Sequence, residues 1–255
     1  MGIDKADVEF VLFGTLPHNI EDFYQQYGRS GRNGNKAIAI VFYHAIDVNR
    51  VAQLICGTPI TVKQKDNMMR LLDYQDYLQS PRCRRTQIAE YFGDEPVKCS
   101  GVNELCDNCI NGDKATYLDV TSVALMLQSF LKEHQSYGFS SLRDIIKGGQ
   151  SVDNAVWGIL RHWPPDEVER LLRQLRRSGL LAFEPERVGI SSKITWKVTL
   201  DPKAESCIAS SYLFSVDKDL HVAIKALSSN DSNNNLCSST PLDTQTRNIL
   251  DNALN

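Results

Sequence analysis

Four cysteines, Cys83, Cys99, Cys106 and Cys109, fall within 27 residues of a 255-residue chain, spaced C-x15-C-x6-C-x2-C. The Cys106-Asp-Asn-Cys109 pair makes a tight two-ligand turn. Cys99 is near enough in sequence to supply a third sulfur, and Cys83 could close a tetrahedron. A closed structural zinc site takes four such soft donors at about 2.3 Å, and a structural zinc contributes on the order of 10 kcal/mol to folding. Unrelated buried cysteines, or a redox dithiol at Cys106 and Cys109, are the other uses of such residues. A redox pair would be expected within a thioredoxin-like βαβ unit, which the surrounding sequence lacks. Zinc is the expectation. Cys56, Cys207 and Cys237 have no partner at ligand spacing and are expected to be ordinary residues.

A second group is Gln25-Gln-Tyr-Gly28-Arg29-Ser-Gly31-Arg32, two arginines three apart and each preceded by glycine. Guanidinium groups offer the fork geometry that grips phosphate oxygens. The same residues could equally form a basic turn with glycine stops.

A third is a run of arginines, Arg170, Arg173, Arg176 and Arg177, with Lys193 and Lys197 further on. The net charge of the chain is -3, so any basic surface must be local. From Thr121 to Leu200 there are eleven Lys/Arg and eight Asp/Glu, a local positive excess. These side chains could hold a helix and hairpin against nucleic-acid phosphates. They could also be a solvated face, since acids at a helix start and arginines at its end suit the helix dipole.

The elements that must position these groups follow from pattern. Val8 to Phe13 and Ala37 to Tyr43 are apolar runs suited to parallel strands buried on both faces. Asn19 can cap a helix from Ile20 to Tyr27 that ends at Gly28. Another helix is expected from Ala45 to Ile55. This βαβα segment, residues 1–58, is too small to bury both faces of a sheet and resembles the end of a larger domain. Residues 59–113 read as a helical hairpin, Thr61 to Phe92, broken at Ser80-Pro81 and closed by Gly93, followed by the cysteine-rich loop. Residues 114–215 read as three helices (Ser122 to Glu133, Leu142 to Lys147, Glu167 to Ser178) and two strands (Leu180 to Phe183, Ile194 to Leu200). That is the order of a winged helix. Trp157 and Trp163 are assigned to its core, and Trp196 to packing on its own hairpin. Residues 216–255 turn polar and are expected to be a mostly disordered tail. The fold class is thus α/β and α+β, multidomain.

Hydrophobic content of 42% and charged content of 23% are those of an ordinary globular protein. No apolar run approaches the roughly 20 residues that span a bilayer, and the N-terminus lacks a signal-peptide pattern. An intracellular location without membrane partners is expected, and for intracellular cysteines metal is favoured over disulfides.

Taken together, the motifs resemble the RecQ family of ATP-dependent DNA helicases. Q-x-x-G-R-x-G-R matches motif VI of superfamily 2 helicases, and Met1-Gly-Ile-Asp-Lys5 resembles the middle of motif V. Ile20 to Gln25, Tyr43 to Asp47, Arg82 to Arg85 and Cys99 to Cys109 follow the RecQ order, and the resemblance covers roughly residues 1–200. It implies a partial second RecA-like lobe, a zinc-binding hairpin and a winged helix that binds duplex, forked or junction DNA. It implies that Arg32 is an arginine finger, with Arg29 and Gln25 beside it, facing ATP on another lobe. Such an arginine can be worth about 10³–10⁵ in rate. Gly2 and Asp4 match motif V positions that couple the nucleotide and DNA sites. The four cysteines match the zinc ligands, and the Glu184 to Ser192 loop is the strand-separating tip, here without an aromatic residue. The implied activity is 3′-to-5′ unwinding in recombination, repair and replication, nuclear in a eukaryote.

No G-x-x-x-x-G-K-[ST] phosphate loop and no D-E-x-H box occur in this sequence. ATP and Mg²⁺ are therefore expected only with another polypeptide segment that supplies them. The chain would be a fragment, a split product or the product of an internal start. The alternative is a non-catalytic zinc and winged-helix DNA-binding module, or a relic.

Overall fold

The apolar runs near the start become two short parallel strands, β1 (Phe10–Phe13) and β2 (Ile38–Val41), with Phe10 opposite Ile38 and Phe13 opposite Val41. The computed structural model describes residues 8–32, 34–57, 59–99, 106–112, 115–149, 155–188, 193–204 and 211–225. These divide into two units. The first is Met1–Ile110 with Pro185–Ile194, and the second is Asn111–Glu184 with Thr195–Asn255.

In the first unit α1 (Ile20–Tyr27) follows β1, and Asn19 Oδ1 accepts the amide of Asp22 at 2.6 Å as the expected cap. Helix α2 (Ala45–Ile55) follows β2. Helix α3 (Val62–Gln79) opens on a capping box between Thr61 and Gln64. It is followed by α4 (Arg84–Phe92), which ends at Gly93 in the left-handed region. The described residues 8–57 and 59–99 share one core. Phe23 of α1 lies 5.2 Å from Phe13 of β1 and 5.7 Å from both Tyr74 and Tyr77 of α3, centroid to centroid. Such aromatic packing adds to the burial each ring supplies.

Burial of the strands on both faces is corrected. Phe13 is buried, but Phe10, Leu12, Ile38 and Ile40 are exposed at 60%, 54%, 62% and 40%. Alternation along in-register strands places these four on one face. The segment 8–57 supplies helices enough to cover only one side of its sheet.

The second unit carries the expected three helices and two strands in winged-helix order, with three further strands. It runs β3 (Ala115–Asp119), α6 (Thr121–His134), β4 (Ser136–Gly138), α7 (Phe139–Ile146), α8 (Pro165–Arg177), β5 (Leu181–Val188), β6 (Lys193–Leu200) and β7 (Leu213–Asp217), with Pro185–Val188 and Lys193–Ile194 counted in the first unit. A four-residue turn of helix, α5 (Asp107–Ile110), precedes them in the first unit. Strands β4, β6 and β5 form one sheet in that order, and β3 pairs antiparallel with β7. Asp119 Oδ1 accepts the amide of Thr121 at 2.9 Å, and Pro165 occupies the first turn of α8. Helix α7 starts earlier than expected, without a serine cap. Strand β7 and helical residues 218–225 extend ordered secondary structure past residue 215, into the segment expected to be tail. Residues 226–255 lie outside the described residues. Among the described residues, no helix is long and apolar enough to cross a membrane.

Strand β7 explains a further correction. Arg170 and Arg173 of α8 are not on a surface; they are 3% and 2% exposed. The Arg170 guanidinium lies 4.2 Å from the centroid of Phe214, donates to the Ser215 carbonyl and pairs with Glu167 at 2.5 Å. Arg173 reaches Glu169 at 3.9 Å. Trp163 stacks on the same Phe214 ring at 5.6 Å. Trp157, assigned to the core by sequence, is 39% exposed. Trp196 is half-buried, 6.4 Å from Phe183, as its packing role requires.

Removing one partner of a buried ion pair leaves the other uncompensated, which costs about 3–5 kcal/mol. Arg170→Ala is therefore expected to lose about 3 kcal/mol in denaturant unfolding of the full chain. Arg177→Ala, at an exposed position of the same helix, should stay within about 0.5 kcal/mol of wild type. Similar small losses for both would contradict the buried role of Arg170.

Candidate metal centre and basic surfaces

The four cysteines come from three separate stretches of chain. Cys83 is the residue before α4, where the broken hairpin turns back, and it is buried. Cys99 ends the irregular stretch 94–99. Cys106 precedes α5 and Cys109 lies within it. Their sulfur atoms all lie within 4.8 Å of one another, and Cys83 Sγ is 3.6 Å from Cys99 Sγ. A tetrahedron with metal–sulfur bonds of about 2.3 Å has edges of about 3.8 Å, so the cluster is the size of one zinc coordination sphere. The Arg84 amide also donates to Cys106 Sγ at 3.4 Å, a contact that favours a thiolate.

The electrostatics are those of crowded thiols. Burial pushes the Cys83 thiol up, but hydrogen bonds from Thr86 and Cys99 outweigh it and bring it to about 6. Cys109 moves the other way, raised by desolvation and then by hydrogen bonds to its neighbouring thiols. Four thiols this close cannot all ionise without a cation between them, and a bound divalent metal deprotonates such ligands. The donor set of four closely spaced thiols fits zinc.

Of the motif around the glycines, Gln25, Arg29 and Arg32 are all exposed at the C-terminal end of α1. Gly31 turns the chain between the arginines at φ +66°. A Cβ there would stand 2.8 Å from the Asn35 carbonyl oxygen, so the turn requires glycine. Its amide donates to the Val8 carbonyl at 3.0 Å and anchors the turn to the start of β1. Gly2 and Asp4 lie outside the described residues.

In the second unit the structure separates the basic residues that the sequence grouped. Arg170 and Arg173 are interior. Arg176 and Lys197 are half-buried, Arg177 is exposed, and the Lys193 side chain lies outside the described residues. Lys197 sits opposite Gly138 in the β4–β6 ladder. A cationic group that the sequence reading passed over is Arg161. It is exposed, with its guanidinium 5.8 Å from the centroid of Trp157. Lys147 donates to the carbonyls of Arg161 and Trp163 beside it. The turn closes because Gly148 and Gly158, both at positive φ, approach so closely that a Cβ on Gly148 would be 3.3 Å from Gly158 Cα. The Lys147-Gly-Gly and Trp157-Gly stretches were the available signals, but Gly148 and Gly158 are 10 positions apart in the chain.

The metal assignment has a direct check. Elemental analysis of the purified chain should find a single zinc ion, and near none after Cys106→Ser. Chelation should lower the thermal transition of the wild type and leave that of Cys106→Ser unmoved. A wild-type protein without bound metal would refute the centre.

The RecQ zinc-binding family matches residues 45–110, the span that contains the cluster. The ATP-dependent DNA helicase Q-like 2 of Arabidopsis thaliana is 28% identical over 209 residues, 82% of this chain and 28% of that protein. The ATP-dependent DNA helicase RecQ of Bacillus subtilis is 29% identical over 185 residues, 69% of this chain and 30% of that protein. The RecQ-like DNA helicase BLM of Xenopus laevis is 32% identical over 200 residues, 69% of this chain and 14% of that protein. The chain thus spans less than a third of the length of these relatives. The chain thus carries the RecQ zinc-binding domain, with the four-cysteine cluster inside it, and is similar to RecQ helicases over most of its length.

Proposed function

We propose that the chain is the zinc and winged-helix segment of a RecQ-like ATP-dependent 3′-to-5′ DNA helicase. Cys83, Cys99, Cys106 and Cys109 are its zinc ligands. Gln25, Arg29 and Arg32 reach toward the phosphates of ATP held by another polypeptide segment. The observation that carries this reading is the outward presentation of those three side chains on the unit that also holds the thiol cluster. In this reading Arg32 stabilises charge on the transferring phosphoryl group, Arg29 and Gln25 stand beside it, and Gly2 and Asp4 couple that event to DNA. In a eukaryote the segment would act in the nucleus, on recombination, repair and replication intermediates.

DNA contact falls to the second unit, where Arg161 on the exposed Trp157 ring, Arg177 and Lys197 are the side chains proposed to meet phosphates. A guanidinium held over an indole keeps its charge at the surface and loses little freedom on meeting a phosphate. A second reading, a DNA-binding module without catalysis of its own, is favoured by one fact: this sequence contains no phosphate loop.

Two measurements test these readings. The purified chain, with or without DNA, is expected to show no ATP turnover above the no-enzyme background; measurable turnover would refute the dependence on another segment. Binding to forked DNA should weaken steeply between low and moderate salt. Arg161→Ala should reduce the slope of log K against log[salt] by about 0.9, whereas Arg173→Ala should leave the slope unchanged in the folded fraction. A slope indifferent to Arg161 would remove that residue from the DNA surface.

A further inference from the structure

The two residues between Cys106 and Cys109 are both engaged with the loop that carries Cys83. Asp107 accepts the Arg84 fork through both oxygens, Nε to Oδ1 at 3.0 Å and Nη2 to Oδ2 at 2.9 Å. The same guanidinium donates to the Tyr77 and Leu78 carbonyls near the end of α3, at 3.1 Å for Leu78, and lies 5.2 Å from the Tyr77 ring centroid. Asn108 donates through Nδ2 to the Ser80 carbonyl at 2.8 Å and the Arg82 carbonyl at 2.6 Å. Burial works against ionisation of Asp107, but the Arg84 hydrogen bonds and charge prevail and hold its carboxyl below the ordinary value. Cys99 is carried differently. Its stretch belongs to no helix or strand, and Thr86 Oγ1 ties it to α4 by donating to the Val97 carbonyl at 3.0 Å.

We propose that Arg84, Asp107 and Asn108 are positioning residues that hold Cys106 and Cys109 beside Cys83 by protein contacts alone, with Cys99 as the closing and exchanging ligand. Three sulfurs then stand within bonding reach of a zinc ion before it arrives. Cys83, Cys106 and Cys109 would take the place of waters bound to an incoming zinc ion, their thiol protons passing to solvent, and Cys99 would fill the fourth position as the remaining waters leave. Release runs in reverse, beginning at Cys99. Groups outside the ligand set that orient ligands typically change metal affinity by about 10–100-fold when removed.

The test uses the full chain, with zinc release followed by a colorimetric chelator and coordination read from the absorption bands of the Co²⁺-substituted protein. Cys99→Ser should still bind Co²⁺, with a spectrum shifted to three-thiolate character, whereas Cys106→Ser should lose the bands. Asp107→Asn and Asn108→Ala should keep the four-thiolate spectrum and release zinc about tenfold faster. A release rate within twofold of wild type in both, or loss of metal from Cys99→Ser as complete as from Cys106→Ser, would overturn the assignment. Where circular dichroism with zinc present shows either variant unfolded, Arg84→Lys decides, because it keeps the charge and discards the fork. Wild-type release from that variant overturns the proposal, and accelerated release with an unaltered Co²⁺ spectrum supports it.

Discussion

Phe23 is the hinge on which the first unit's geometry turns. Its ring sits among Phe13, Tyr27, Tyr74 and Tyr77, so it fixes α1 against both the short sheet and the long α3 helix. From Tyr77 the connection passes to the Arg84 guanidinium and through Asp107 to the Cys106 turn. A continuous path of packed rings and charge-assisted hydrogen bonds thus joins α1, which leads into the turn of Arg29 and Arg32, to the thiol cluster. Close-packed interiors transmit displacement rather than absorb it. A displacement at the thiol cluster can therefore be felt at the turn that carries Arg29 and Arg32.

What the sequence disclosed was what local rules govern. Cysteine spacing, the Asn19 cap, the Gly93 stop and the proline start of α8 depend on neighbours within a few residues, and each could be read directly. The arginines of α8 could not. Helical spacing predicts which side chains share a face, but the face that is buried depends on β7, whose Ser215 lies 45 residues beyond Arg170. A default rule that arginine is solvated assigns Arg170 and Arg173 outward. Their burial is sustained by partners such as Glu167, Glu169 and the Ser215 carbonyl. Trp157 failed in the opposite sense, since an indole expected inside instead lies beneath Arg161 at the surface.

The bare face of β1 and β2 shows a third kind of limit. Apolar runs correctly indicated parallel strands, and the expected number of elements was found. Periodicity says that a face is apolar, not that anything covers it. Phe10, Leu12, Ile38 and Ile40 are the residues of a sheet interior left without a cover among the described residues. The sequence argument from size, that a βαβα segment is too small to bury both faces, proves the better guide than the argument from hydrophobicity.

The pairing of β3 with β7 has a mechanical consequence. Ala115, where the chain enters the second unit's sheet, lies opposite Asp217, near where it leaves. Tension between these two ends would peel the ladder apart rung by rung rather than shear all its bonds at once. A pull on one side of such a clasp would meet little resistance until the strands parted and the rings of Phe214 and Trp163 took the load.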